Sequence, residues 1–336
     1  MKVFRILFAA LTLGFAGAAI ADPAPGKLKG GEIYTLPQWF KASFLDFKSD
    51  VKEAREQGKH VMVFLHLDEC PYCARMLKES FSSGGNRTFI EKHFDVIGVN
   101  VQGSVELTWI DGATYTERGL ARRLKTSATP TIVFLDLEGN KVLQLTGYRD
   151  PPALRDALEY VQSKGYRNQS FAEHVAAQDR PAVYTFRDHA QFSNVTYLKD
   201  YKKPLAVLFE DRHCAECARF HETTLSRPDV ADEMKRFLFV RLDADSSRPM
   251  VDLDGNTTTP AQWVKALDLS YRPAVVLFNE GREIFRADGR LYHFHFREAL
   301  RYVSGAYYRK FDTLSQYRAA YRAELLRKGI DIDYAE

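Results

Sequence analysis

Four cysteines, the only ones in the chain, stand in two pairs of one pattern. Cys70 and Cys73 lie in "HLDECPYCARMLKESF" (66–81), Cys214 and Cys217 in "EDRHCAECARFHETTL" (210–225). Three chemistries suit two sulfurs at this spacing. A structural staple closing a loop of about four residues contributes roughly 2 kcal/mol, against about 3 for a 15-residue loop, so it is placed where it helps least. A zinc site needs four converging donors, and zinc modules usually set their cysteine pairs some 12–20 residues apart; here 144 positions intervene. His213 and His221 flank the second pair and leave a local His/Cys metal site as a minor reading. Neither Cys73 nor Cys217 precedes a histidine, which excludes covalent c-type haem attachment. Thiol–disulfide exchange accounts best for the placement. A first cysteine at a helix start meets unpaired backbone N–H groups worth about half a positive charge. That field favours the thiolate, the attacking species. The second cysteine, one turn on, resolves the mixed disulfide, and Pro71 suits a first helical turn because it has no N–H to orphan.

Other landmarks keep the same offset. Lys59 precedes "HVMVFLHL" as Lys203 precedes "PLAVLFED"; Asp111-Gly112 answers Asp254-Gly255; "TPTIVFLDLEG" (129–139) answers "RPAVVLFNEG" (272–281). Register held across a motif, a turn and a strand identifies a duplicated domain. Each copy predicts an amphipathic helix, a buried strand, the cysteine pair on a helix, a second strand ("FDVIGVNV", "FLFVRLDA"), a variable loop, another helix, a proline-led strand with its hairpin partner, and a last helix. Strands alternating with helices predict the α/β class, with a central mixed sheet covered on both faces in each of two tandem domains. Pro130 and Pro273 open the strands about 60 residues beyond their cysteine pairs. A proline there cannot donate to a ladder, and a cis bond would turn the backbone toward the sulfurs.

The expected organisation is a leader over 1–21, a linker over 22–40, a first domain over 41–165, a second with its connecting segment over 166–308, and a helical tail over 309–336. "MKVFR" followed by "ILFAALTLGFAGAAI" and Ala19-Ile20-Ala21 has the charge, apolar core and small residues of a cleavable signal. The apolar run is too short to span a bilayer. An exported, soluble product is expected, in the bacterial periplasm, where disulfides persist. The formal net charge of +3 falls to +1 without Lys2 and Arg5, too little to argue for nucleic acid or an anionic membrane as partner. The composition, 45% hydrophobic and 27% charged, is that of a folded chain.

On these motifs the sequence resembles the thioredoxin superfamily over both copies; copy one, with "CPYCARMLKESF", "FDVIGVNVQG" and "ATPTIVFLDLEGN", looks most like the SoxW-type periplasmic thioredoxins. The resemblance implies a thiol–disulfide oxidoreductase with no cofactor beyond its cysteines and no metal, acting on protein thiols and disulfides with an unidentified redox partner. It implies Cys70 as nucleophile, Cys73 as resolving thiol, Pro130 as a cis-proline beside the client, and Thr129 as a source of backbone hydrogen bonds to it. Cys214, Cys217, Pro273 and Arg272 correspond in copy two. Two departures stand out: Glu69 and His213 replace the usual Trp before the first cysteine, and Phe64 and Leu208 replace the usual buried acid. Asp68, Glu69, Glu210 and Asp211 read as solvated carboxylates and His66 as strand packing, so no general acid or base is assigned. Glu216, between the sulfurs of copy two, is expected to disfavour its thiolate and make that couple the more reducing. Arg272 is expected to block clients or recruit an anion. The rival reading is a redox-inert client-binding or chaperone-like module with copy two a degenerate repeat.

Overall fold

The structure, a computed structural model, describes residues 24–334 except 84, 127, 179, 180 and 202. The leader expected over 1–21 lies outside the described residues. No described helix is long and apolar enough to cross a membrane.

The first repeat is built on four strands, β1 (His60–His66), β2 (Phe94–Asn100), β3 (Thr131–Leu135) and β4 (Lys141–Thr146), ordered β2-β1-β3-β4. β1 runs parallel to β2 and antiparallel to β3, so the sheet is mixed. Every residue of β1 is buried, and its alternate side chains feed two cores. Val61, Val63 and Leu65 pack with Phe47, Val51 and Ala54 of α1 (Phe47–Glu56) and Leu120 of α4 (Glu117–Arg123). Met62 and Phe64 pack on the other face with Ile90 of α3 (Asn86–His93) and Leu154 and Leu158 of α5 (Pro151–Gln162). A central strand covered on both sides must be apolar at every position, which is why "HVMVFLH" lacks polar alternation. Caps fix the helix starts: Asp46 accepts the N–H groups of Lys48 and Ser49, Thr116 that of Gly119, and Asp150 that of Ala153 ahead of a proline at the first helical position. Between β1 and α3 lies α2 (Pro71–Arg75), which runs on as a π-helical turn over Met76–Phe81.

The second repeat places β5 (Phe192–Ser193), β6 (Leu205–Glu210), β7 (Leu238–Asp243), β8 (Ala274–Asn279) and β9 (Arg282–Asp288) in the order β9-β8-β6-β7-β5. The cysteine helix α6 (Cys217–Phe220) again continues as a π turn, His221–Leu225, and α7 (His293–Ser304) closes the unit. The amphipathic helix expected to open each copy exists only in the first. In the second its place is taken by β5, an edge strand parallel to β7, with Phe192 stacked on Phe239. "FSNVTY" holds two aromatic and two β-branched residues without a helical period, and such residues favour strand pairing. Asp111-Gly112 and Asp254-Gly255 each turn a short hairpin, with the glycines at φ +82° and +89°. The tail forms α8 (Leu314–Arg327), whose Leu314 and Tyr317 enter the second repeat's core. The chain then returns to its beginning: Ile332 and Asp333 pair in parallel with Leu28 and Lys29.

His60, at the buried start of β1, has no hydrogen-bond partner for Nε2 among the described residues, and burial pushes its pKa down to about 4. Unfolding restores a group that protonates near 6.5, so the unfolded state binds the extra proton between about pH 6.5 and 4. Stability should fall across that window by on the order of 2–3 kcal/mol from this residue. Urea midpoints at pH 7.5 and 4.5 should diverge less in His60→Leu than in wild type; an unchanged divergence would place the acid sensitivity elsewhere.

Candidate active site

In the first repeat β1 hands the chain to α2 with Cys70 as its N-cap, in extended conformation, and Pro71 at the first helical position. The Cys70 sulfur accepts the Cys73 N–H at 3.2 Å, and the two cysteines form a disulfide with Cα atoms 5.2 Å apart. Across the site, Cys70 Sγ lies 3.5 Å from Thr129 Oγ1 and 3.8 Å from Thr129 O, and the Thr129–Pro130 bond is cis. Cys70, Cys73, Thr129 and Pro130 therefore sit together. Cys70 is only 5% exposed and Cys73 is fully buried.

The second repeat keeps the disulfide, Cys214–Cys217, and a cis Arg272–Pro273 bond, but changes what surrounds them. Its helix starts at Cys217 with Glu216 as N-cap and no side-chain cap, so the expectation of a sulfur at the helix start fails for Cys214. Without a proline to set the first helical turn, Cys214-Ala215-Glu216 forms a turn whose carboxylate is engaged elsewhere. Arg272 does not reach outward as expected. It folds back, Nη1 donating to the carbonyls of Leu269 and Tyr271, with Nε 3.5 Å from Asp211 Oδ2, and burial lowers its pKa.

The segment Pro181–Arg187 covers this second pair. Val183 and Tyr184 donate their N–H groups to Arg212 O at 2.8 and 3.0 Å, and Pro181 O meets His213 Nδ1 at 3.0 Å. Tyr184 packs with Cys214 and Cys217 in one apolar cluster, with Phe186 against it. Its hydroxyl lies 3.3 Å from both oxygens of Glu210, and Glu210 Oε1 lies 2.9 Å from His221 Nε2. Glu210 is thus fully buried, where a solvated carboxylate was expected; the imidazole and phenol replace its water. Burial, then the Glu210 charge, pushes the Tyr184 phenol up to about 12. His221 sits one helical turn beyond Cys217, which its N–H contacts through the Cys217 carbonyl. Copy one has a counterpart: Tyr34 OH meets His66 Nδ1 at 2.9 Å and donates to Leu67 O. His66, buried against Phe64, has its pKa lowered by burial, so it packs as a neutral ring. In both copies a tyrosine from the preceding arm braces the residue four before the first cysteine. Sequence reading missed both, because Tyr34 and Tyr184 stand at different distances from their cysteines and leave no trace in the repeat register.

Both dipeptides between the sulfurs face the other repeat. Tyr72 stacks on Tyr292 with ring centroids 3.9 Å apart, and its hydroxyl accepts the Tyr292 N–H. Glu216 takes both Arg75 amino groups, at 3.1 and 3.3 Å, and Arg290 Nε at 2.7 Å. Burial pushes the Glu216 carboxyl up, but the two guanidiniums outweigh it and leave the pKa below the ordinary value. The expected bare negative charge beside Cys214 is therefore compensated, and with it goes the reason for a more reducing second couple. A second cross-link runs from buried Arg149, which donates to Asp288 Oδ2 at 2.8 Å and lies over the Tyr271 ring.

A family profile for the thioredoxin-like domain matches residues 47–162 and 193–304, more than half of the chain. The chain belongs to the thioredoxin-like family. Both thioredoxin-like repeats are covered by the match, including the second with its altered helix start. Solved structures to which the chain is similar include a thioredoxin-fold protein from Helicobacter pylori (24% identity, 34% of this chain and 74% of that one, TM-score 0.31). Others are a thioredoxin from Thermus thermophilus (26%, 42% and 90%, 0.29) and a disulphide isomerase from Xylella fastidiosa (18%, 40% and 93%, 0.24). A search of curated proteins finds no match.

Removing one partner of a buried hydrogen-bonded polar group leaves the other unsatisfied and costs about 1–3 kcal/mol. Glu210→Ala should lose stability on that scale in urea unfolding, and Tyr184→Phe about 1 kcal/mol. A loss below about 0.5 kcal/mol for Glu210→Ala would contradict the pairing seen here.

Proposed function

We propose that the chain is an exported, periplasmic thiol–disulfide oxidoreductase that exchanges disulfides with protein clients. One observation carries this reading: a sulfur at a helix N-cap, within 3.2 Å of a backbone N–H, beside a cis-proline segment. The N–H groups and the helix dipole favour a thiolate at Cys70. In the reducing direction this thiolate attacks one sulfur of a client disulfide, and the other client sulfur leaves as a thiolate and takes a proton. Cys73 then loses its proton and attacks Cys70 Sγ, expelling the client's remaining sulfur. The client gains two electrons and the Cys70/Cys73 pair becomes a disulfide. Thr129 and Pro130 are proposed to hold the client backbone. Export is supported by the leader-like first 21 residues and by the two disulfides. The likeness of copy one to SoxW-type thioredoxins rests on its sequence motifs alone.

The seam between the dipeptides supports a relay in which copy two exchanges electrons with copy one. The cover over Cys214 favours a different role for copy two, a repeat closed to protein clients, and Arg272 is not offered to them. With Glu216 compensated, the direction of flow between the pairs is left to measurement.

Dithiothreitol-driven insulin reduction should fall at least about tenfold in Cys70→Ala, and Cys73→Ser should accumulate mixed disulfides with clients. Equal rates for wild type and Cys70→Ala would remove the enzymatic reading and leave a binding module.

A further inference from the structure

Glu216 stands two residues after Cys214, on the turn that carries that sulfur, yet one of its two cationic partners comes from the other repeat. Arg75 reaches it from copy one's own cysteine helix, two residues beyond Cys73. The arginine is fixed on its far side as well: Nε donates to Glu79 Oε2 at 2.9 Å, the guanidinium lies over the Tyr148 ring at 4.1 Å, and Tyr148 OH donates to Glu79 at 2.6 Å. Arg290 approaches from copy two, lying over the Tyr292 ring and donating to Thr223 Oγ1. The Tyr271 phenol, raised well above its ordinary pKa first by burial and then by Asp150, also feels the Glu216 charge. Among the described contacts around Glu216, the charges of Arg75 and Arg290 balance those of Glu79 and Glu216. Removal of Arg75 leaves one net negative charge near Cys214, and neutralisation of Glu216 leaves one net positive charge.

We propose that Arg75 is a positioning residue for the second redox centre: by compensating Glu216 across the interface, copy one sets how readily the Cys214–Cys217 disulfide is reduced. This rests on the oxidoreductase reading. Reduction of Cys214–Cys217 consumes two electrons and, where Cys214 is left as thiolate, one proton. The reduced side of the equilibrium therefore carries a new negative charge and the disulfide side does not. A neighbouring cation favours reduction and a neighbouring anion opposes it. Tyr72 against Tyr292 holds the repeats in register, so the compensation exists only while the two faces are together. Copy two cut away from copy one loses Arg75 and should behave as a different couple from copy two in the whole chain.

The test uses the full chain with Cys70→Ser and Cys73→Ser, so that only Cys214 and Cys217 report. The fraction reduced is measured across glutathione and dithiothreitol redox buffers at pH 7. Arg75→Met should shift the equilibrium about tenfold toward the disulfide, which for two electrons is about 30 mV lower. Glu216→Gln should shift it by a similar factor toward the dithiol. Loss of the interface alone would move both variants the same way, so opposite shifts carry the electrostatic assignment. Shifts of one sign, or none with the fold intact by circular dichroism, overturn it. A pair that stays oxidised throughout the dithiothreitol range overturns it by denying copy two any exchange. Each outcome is independent of insulin turnover, which tests Cys70.

Discussion

A carboxylate withdrawn from water must be given partners, and Glu216 is only 7% exposed. Two guanidiniums supply them, one from each repeat, and with the Tyr72–Tyr292 stack they make the surface where two otherwise similar domains meet. Each repeat has its own sheet, and Tyr292 of the second enters a core cluster of the first. Beside the link from Arg149 to Asp288 and Tyr271, the residues lying between the sulfurs in each copy take part in that meeting. Those residues are therefore bound twice over, by the chemistry of the motif and by the packing of the domains. Both cysteine pairs are buried in the oxidised chain, and the residues between their sulfurs lie in contact with the neighbouring repeat.

Duplication has given the two centres different surroundings. Copy one keeps proline and a sulfur at the helix cap, with a neutral His66 held by Tyr34. Copy two has a buried Glu210–His221 pair under Tyr184 and a helix that begins at its second cysteine. His221, one turn beyond Cys217, partners this buried acid, and Leu77 stands in its place in copy one. Copy two has lost none of its four expected landmarks, the two cysteines, the cis-proline and the strand before them, and has acquired charge that copy one does not have.

Much of this was legible in the sequence, for identifiable reasons. The strands announce themselves because a sheet covered on both faces demands unbroken apolar runs, and the cysteines and prolines because duplication repeats them in register. What escaped was set by contacts far apart along the chain. Arg75 reads as an ordinary partner of Glu79 four residues on, and its contact with Glu216 lies 141 positions away. Glu210 reads as solvated because an acid ending an apolar strand usually is; His221 and the arm bearing Tyr184 take the place of its water. The missing first helix of copy two was a failure of analogy, the repeat register having been carried past the point where the residues support it. The Leu28–Ile332 pairing joins two segments with no shared pattern.

The contact between Arg75 and Glu216 is tested most directly by a double-mutant cycle with Arg75→Met and Glu216→Gln, read by urea unfolding of the oxidised chain. A buried, bidentate pair predicts a coupling energy of at least about 1 kcal/mol. Effects that add to within about 0.3–0.5 kcal/mol would contradict it, since independent sites behave that way.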